Sequence, residues 1–269
     1  MNKQQKFDKI IKDIKDVKIQ GARNIALKAL DAYLLFPTEK TKKILRNLRP
    51  TEPMLFNVLE KLKEQSQEKI ISHFGDAQNR INKFVFSLIK NNDVVFIHCH
   101  STNVINALIY TKNKKKKFKV LNTETRPLYQ GRKTSIELKE AGIEVTQYVD
   151  SAAKIAITKG KRNIQVNDVF LGADAITKKG VINKIGSRMF AEIAYDNKVP
   201  VYIIADSWKF TKNKIPIEQR KLTEIWDKAP KNIKIQNPAF EFIDKKYIKA
   251  IISELGILSY NEFLKKVNS

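Results

Sequence analysis

VVFIHCHSTN, residues Val94 to Asn103, is the stretch that decides the fold. Four apolar residues, Val94 to Ile97, follow the turn-forming Asn91-Asn92-Asp93. A short, unbroken apolar run rich in β-branched residues reads as a strand buried on both faces, as in a parallel sheet. Thr102 to Tyr110 then has the apolar spacing of a helix. Cys99, the one cysteine of the chain, therefore stands where a strand ends and a helix begins. In open α/β sheets ligands bind at such junctions. A helix N-terminus also offers free N–H groups and the positive end of the dipole, which favour phosphate and thiolate alike.

Outward from this stretch the two sides differ. After Asn91 strands and helices alternate. Lys117–Asn122, Ile143–Val149, Asp168–Leu171 and Val199–Ala205 read as strands. Arg132–Ala141, Ser151–Lys159 (with Asp150 as N-cap) and Gly186–Asn197 read as helices. Such alternation implies a doubly wound parallel sheet. Before Asn91 the pattern is helical. Phe7, Ile10, Ile11 and Ile14 form a stripe, and the Ala/Leu-rich run Ile25–Leu35 ends at Pro37. Further helices are expected over Thr38–Leu48, from Thr51 through Lys63, and over Glu68–Ile89, where Gly75 could break the run. The reading is α/β, with a helical domain at 1–90 and a sheet domain at 91–269.

Composition excludes several classes. No apolar run is long enough for a membrane span. The charged start MNKQQKFDKIIKDIKDVK lacks the apolar core of a secretory signal, and one cysteine forms no internal disulfide. A cytoplasmic protein is the simple expectation. The formal charge of +23 suggests polyanions, but Lys spread along the chain supplies most of it. A solvated, Lys-biased surface is preferred here to a nucleic-acid partner. There is no metal-ligand spacing, no GxGxxG and no P-loop.

Several polar clusters follow strands. Thr123 to Arg132, TETRPLYQGR, holds Arg126, Gln130 and Gly131 before a helix, which suits either a phosphate or sugar contact or a capped loop. Asp174 has apolar neighbours on both sides, and desolvation there would raise its pKa and fit it for proton transfer. Lys184 and Gly186 precede a helix, and Lys209 follows the last central strand. Singly, each has an ordinary structural explanation. Together, a doubly wound sheet would place Cys99, Arg126, Gln130, Asp174, Lys184 and Lys209 around one crevice. His98 and His100 flank Cys99 but should point away from it.

TETRPLYQGR (123–132), VDSAA (149–153), GADAI (172–176), INKIGS (182–187) and NPAFE (237–241) resemble, in this order, motifs of one superfamily. It holds sugar-phosphate aldose–ketose isomerases and the regulatory subunits of translation initiation factor 2B. The resemblance spans about residues 19–266. The pairing of Cys99 with Asp174 looks like the isomerases. Lys209 in its WKF context and PKNIKIQNPAFE are more similar to archaeal ribose 1,5-bisphosphate isomerases than to methylthioribose-1-phosphate isomerases.

The resemblance implies a helical domain followed by a Rossmann-like domain, and a homo-oligomer, dimer or hexamer. It implies Cys99 as proton acceptor and Asp174 as proton donor in converting ribose 1,5-bisphosphate to ribulose 1,5-bisphosphate. It implies substrate contacts from Gln20, Gly21, Ala22, Arg23, Arg49, Ser101, Thr102, Asn103, Asn183, Lys184 and Lys209. Arg126, Gln130 and Gly131 join them from the strand-end reading. No redox cofactor or metal is implied. AMP acts as an activator in that family, in a route from AMP breakdown to a Rubisco. His100 departs from the family's usual Asn, and Phe242-Ile243-Asp244 from its Val-Thr-Pro. The competing readings are a methylthioribose-1-phosphate isomerase and a non-enzymatic regulatory subunit.

Overall fold

The computed structural model describes residues 1–158 and 165–268. Strands β1 Val94–Ile97, β2 Lys119–Thr123, β3 Glu144–Tyr148, β4 Asp168–Leu171, β5 Ala175–Ile176, β6 Gly180–Lys184, β7 Val201–Ile204, β8 Phe240–Asp244, β9 Ala250–Ser253 and β10 Gly256–Leu258 form two sheets. The larger runs β10-β9-β7-β4-β1-β2-β3. Every pairing in it is parallel except β9 with β10. The smaller, β5-β6-β8, is antiparallel.

The central strands are apolar on both faces because both faces are covered. Phe96, Val169, Leu171, Val201, Ile203 and Ile251 pack into one core with α9 (Ser187–Asp196) and α10 (Tyr260–Asn268). Their neighbours Val95, Ile97, Phe170, Tyr202, Ile204 and Ile252 pack into the opposite core, with α6 (Thr102–Asn113) and α7 (Gln130–Glu140). The period-two alternation of strand side chains thus feeds two helical layers. From β1 the chain winds one way to β2 and β3, then crosses to β4, β7 and β9 on the other side. β1 and β4 consequently flank the reversal point, where a crevice opens at their C-terminal ends.

The N-terminal helices are α1 Lys3–Lys15, α2 Ala22–Leu35, α3 Glu39–Leu48, α4 Pro53–Lys61 and α5 Gln67–Leu88. Asn2 and Gln5 form a capping box, and Thr38 and Ser66 cap α3 and α5. Ile70 and Phe74 of α5 pack against α2 and α4, whereas Ile81 and Val85 join the core of the large sheet. One helix therefore couples the two parts across residue 90. None of the helices among the described residues is long and apolar enough to cross a membrane.

Several details differ from the sequence reading. Gly75 does not interrupt α5, whose 22 residues run through it. The cap position of α4 is Glu52, with Pro53 in the first turn, while the Thr51 hydroxyl is turned to Glu218. Asp150 caps no helix of its own. Its carboxylate accepts the Thr125 and Arg126 N–H groups at 2.8 and 2.6 Å. The expected helix over Ser151–Lys159 is a 3-10 turn, Asp150–Ala152, followed by α8 Ala153–Ile157, and Lys159 lies outside the described residues. The small sheet, β9, β10 and α10 were not expected, because their runs are short and mixed in polarity.

Candidate active site

The segment after β1 is held by three threonines. Cys99 has a left-handed backbone, φ +69°, which a residue with a Cβ adopts at a cost. Its N–H donates to Thr125 Oγ1 at 3.0 Å, and Thr134 Oγ1 donates to its carbonyl at 2.9 Å. His98 is buried against the Phe190 ring. Its Nε2–H donates to the Ile185 carbonyl at 2.9 Å, so its Nδ1 is the acceptor for Thr123 Oγ1 at 2.5 Å. Burial pushes its pKa down to about 4, so the ring is neutral. The His100 Nδ1 pairs with Thr134 Oγ1 at 3.0 Å. Neither imidazole is hydrogen-bonded to the thiol, and a Cys–His nucleophile pair is not built here.

Cys99 is half-buried. Burial pushes its thiol up to about 11, with the Lys184 ammonium drawing it the other way. The expected thiolate, stabilised by the start of α6, is thus not the resting form at neutral pH. Burial outweighs any help from the helix start, whose cap residue is Ser101 and not Cys99. No side chain caps this helix, which leaves its first N–H groups for a ligand. Gly172, after β4, lets Ser101 approach. A Cβ there would stand 2.7 Å from Ser101 Oγ. Asn103 is tied to α5 instead, its amide donating to Gln78 Oε1 at 2.9 Å.

Asp174 occupies the turn between β4 and β5, fixed by its N–H to the Ile182 carbonyl at 2.9 Å. Burial pushes its carboxyl up, against the pull of Lys209, Lys184 and Arg49. Lys209 is buried, and its Nζ donates to the Ala173 carbonyl at 2.5 Å. The turn that carries it is clamped from the helical side. The Asn57 amide donates to the Trp208 and Phe210 carbonyls at 2.6 and 2.9 Å, and the Trp208 ring stacks on His73 with centroids 3.6 Å apart. Lys184, at the end of β6, is buried near the Phe240 ring, and the Asn183 amide donates to Ser187 Oγ.

These groups border one cavity of about 230 Å³. Its lining includes Cys99, Ser101, Thr102, Asn103, Gln130, Asp174, Asn183, Lys184 and Lys209 from the sheet half. Gln20, Gly21, Ala22, Arg23 and Arg49 close it from the helical half. Gly21 has φ +84°, which turns the chain into α2, and the Arg23 guanidinium lies over the Phe74 ring.

Two expected residues are elsewhere. Arg126 is exposed and faces outward, its guanidinium on the Tyr129 hydroxyl and 3.5 Å from the Ile225 carbonyl. The Asp150 carboxylate fixes its backbone in that direction. Gly131 does not line the cavity. It permits α7 to touch β2, since a Cβ there would stand 1.8 Å from the Thr123 carbonyl oxygen. Gly131→Ala is expected to destabilise the protein by about 3 kcal/mol, the upper end of overpacking costs, read as a lowered denaturation midpoint.

Other lining residues were not anticipated. Glu52, Gln78, Lys133 and Arg220 all face the cavity. Glu52 left a trace in the sequence, three residues after Arg49 and braced between Pro50 and Pro53. Arg220 left none, since its place depends on the long segment before β8. His73, Asp206 and Glu254 have ligand-type atoms within 4.8 Å of one another, the spacing of a metal site. His73 and Asp206 are already paired at 3.1 Å, and Glu254 accepts the Ser207 N–H at 3.1 Å.

The Initiation factor 2 subunit family matches residues 18–260. A ribose 1,5-bisphosphate isomerase of Methanocaldococcus jannaschii is 35% identical over 91% of this chain and 89% of its own length. A methylthioribose-1-phosphate isomerase of Thermosipho africanus is 32% identical over 93% of this chain and 82% of its own. Among solved structures, translation initiation factor eIF-2B of Pyrococcus horikoshii OT3 superposes with a TM-score of 0.82. It is 25% identical and covers 94% of this chain and 96% of its own.

Proposed function

The chain belongs to the Initiation factor 2 subunit family, and from that membership and its cavity we propose that it is an aldose–ketose isomerase of sugar phosphates, converting ribose 1,5-bisphosphate to ribulose 1,5-bisphosphate. The observation that carries this is one cavity holding both Cys99 and Asp174 among six cationic side chains, Arg23, Arg49, Lys133, Lys184, Lys209 and Arg220. Three of these, Arg49, Lys184 and Lys209, are buried, and such a set of cations suits a ligand with two phosphates. The catalytic pair hangs from β1 and β4, the strands that flank the sheet reversal.

The mechanism has two proton transfers in each direction. Asp174, kept protonated by burial, gives its proton to the ring oxygen. The bond from C1 to that oxygen breaks, and its electron pair goes to the oxygen. Cys99, in its scarce thiolate form, takes the proton from C2, and the C2–H electron pair forms the C1–C2 double bond of an enol phosphate. The C2 hydroxyl then gives its proton to the Asp174 carboxylate and becomes the ketone. The double-bond electrons take a proton at C1, from Cys99. Both side chains return to their starting states, and no redox cofactor is needed. Lys184, which draws down both the thiol and the carboxyl, stands where it can offset charge during the transfers.

The test compares kcat/KM for ribose 1,5-bisphosphate and for methylthioribose 1-phosphate, each with and without AMP. The account expects the bisphosphate to be preferred by at least about a hundredfold, since a missing phosphate leaves buried cations unpaired. Preference for the methylthio sugar would reassign the substrate. Turnover of neither would leave the family's non-enzymatic role as the reading. AMP activation and a dimer or hexamer belong to the same proposal, the latter read by sedimentation.

A further inference from the structure

Glu52 faces the cavity, yet the proton transfers above make no use of it. It is 2% exposed. Its Oε1 lies 3.6 Å from Arg49 Nη2, and its Oε2 has no hydrogen-bond partner. Arg49 is also buried and as poorly matched. Nη2 stands between Glu52 and Glu218, the latter at 3.5 Å, while Nε and Nη1 meet no acceptor. A tight pair between guanidinium and carboxylate is about 2.7–2.9 Å long and commonly bidentate. Here a buried guanidinium is held loosely by two carboxylates, with two donor positions unfilled. Buried donors of this kind are costly unless something fills them.

We propose that Glu52, where it is ionised, holds Arg49 in the empty cavity and takes up a proton from solvent when a phosphate group of the substrate replaces it as the partner of that guanidinium. The inference rests on the sugar-phosphate reading. A phosphate oxyanion is the acceptor that the free N–H groups lack. A carboxylate and a phosphate dianion sharing one buried cation repel each other, and protonating the carboxylate removes the repulsion. The proton goes to a Glu52 oxygen, and no other covalent bond changes. Neutral Glu52 then has an O–H to donate, so its unpartnered Oε2 also gains a use.

The groups around Glu52 favour this. Burial pushes its carboxyl up to about 8. Asp174 from the turn after β4 and Glu218 from the segment before β8 push the same way, while Arg49 and Lys209 oppose. Glu218 is itself pinned, accepting the Thr51 hydroxyl at 3.3 Å and lying 3.4 Å from Arg220 Nη1. Thr51 and Arg220 therefore fix the second carboxylate, so Glu52 is the one left to change state.

The sign follows. Below about pH 8 Glu52 is already neutral, and binding draws no proton to it. Above that it is ionised in the empty protein and neutral in the complex. Affinity then falls as pH rises, by up to about tenfold per pH unit. The phosphates are dianionic throughout this range and add no slope.

Calorimetric titration of ribose 1,5-bisphosphate into the Cys99→Ser protein, which avoids turnover, reads this directly. At pH 9, in two buffers of different ionisation enthalpy, binding is expected to take up about one more proton than in the Cys99→Ser, Glu52→Gln protein. The double variant should also bind about tenfold tighter at that pH. Equal proton uptake with and without Glu52 would overturn the role of Glu52 and leave the sugar-phosphate site standing. A dissociation constant of the Cys99→Ser protein that stays flat from pH 8 to pH 10 would overturn it without recourse to the double variant. Failure of the sugar bisphosphate to bind either protein would remove the underlying reading as well.

Discussion

Replacing Cys99 by serine is expected to lower kcat by about a hundred- to ten-thousand-fold while leaving substrate affinity within a few-fold. The change keeps size and the backbone contacts to Thr125 and Thr134, which involve only main-chain atoms of residue 99. What it removes is an atom able to carry the C2 proton, because a serine hydroxyl ionises far above a thiol. The buried thiol, with its pKa raised to about 11, is nearly all protonated at neutral pH. Its reactive form is therefore scarce and costly to make, and Lys184 and the His100 backbone N–H lessen the cost. Alkylation by iodoacetamide reports the same property. It should be slow at pH 7, quicken about tenfold per pH unit toward alkaline conditions, and be blocked by sugar bisphosphate.

Asp174→Asn is expected to have an effect of similar size, about a hundred- to ten-thousand-fold on kcat. The amide preserves shape and the backbone bond to Ile182 but cannot give up a proton to the ring oxygen. The pair also sets the pH profile. The productive form has Asp174 protonated and Cys99 ionised. That form carries the same number of protons as the one in which Asp174 is ionised and Cys99 protonated, so the balance between the two does not change with pH. The rate is thus expected to rise with pH along an acid limb above the ordinary aspartate range, and to fall as the last proton of the pair leaves. An acid limb at the pKa of an ordinary exposed aspartate would contradict the buried setting of Asp174.

How far the sequence reached depends on the distance over which each feature is determined. β1 was legible because four residues, Val94–Ile97, carry its whole signal, and β4 matched to the residue at Asp168–Leu171. That Cys99 and Asp174 border one cavity was legible because strand ends in a doubly wound sheet fall on one edge. Arg126 was misplaced because a local reading of TETRPLYQGR cannot see that Asp150, from another strand end, binds its N–H and turns the side chain outward. Glu52 left only a local trace, for a related reason. Its significance depends on Glu218, whose partner Thr51 is 167 residues away in the chain. The small sheet was missed because β5 has two residues and β6 mixes Gly, Asn and Lys with its apolar positions. Such strands are made by their partners more than by their own composition.

Phosphorus NMR of ribose 1,5-bisphosphate incubated with the wild-type protein, with Cys99→Ser and with Asp174→Asn tests the central claim most directly. The account predicts that the wild type replaces the anomeric phosphate resonance with that of a primary C1 phosphate. Both variants should bind the sugar and leave the resonance in place. Conversion by either variant at the wild-type rate, or an unchanged spectrum with the wild type, would contradict it.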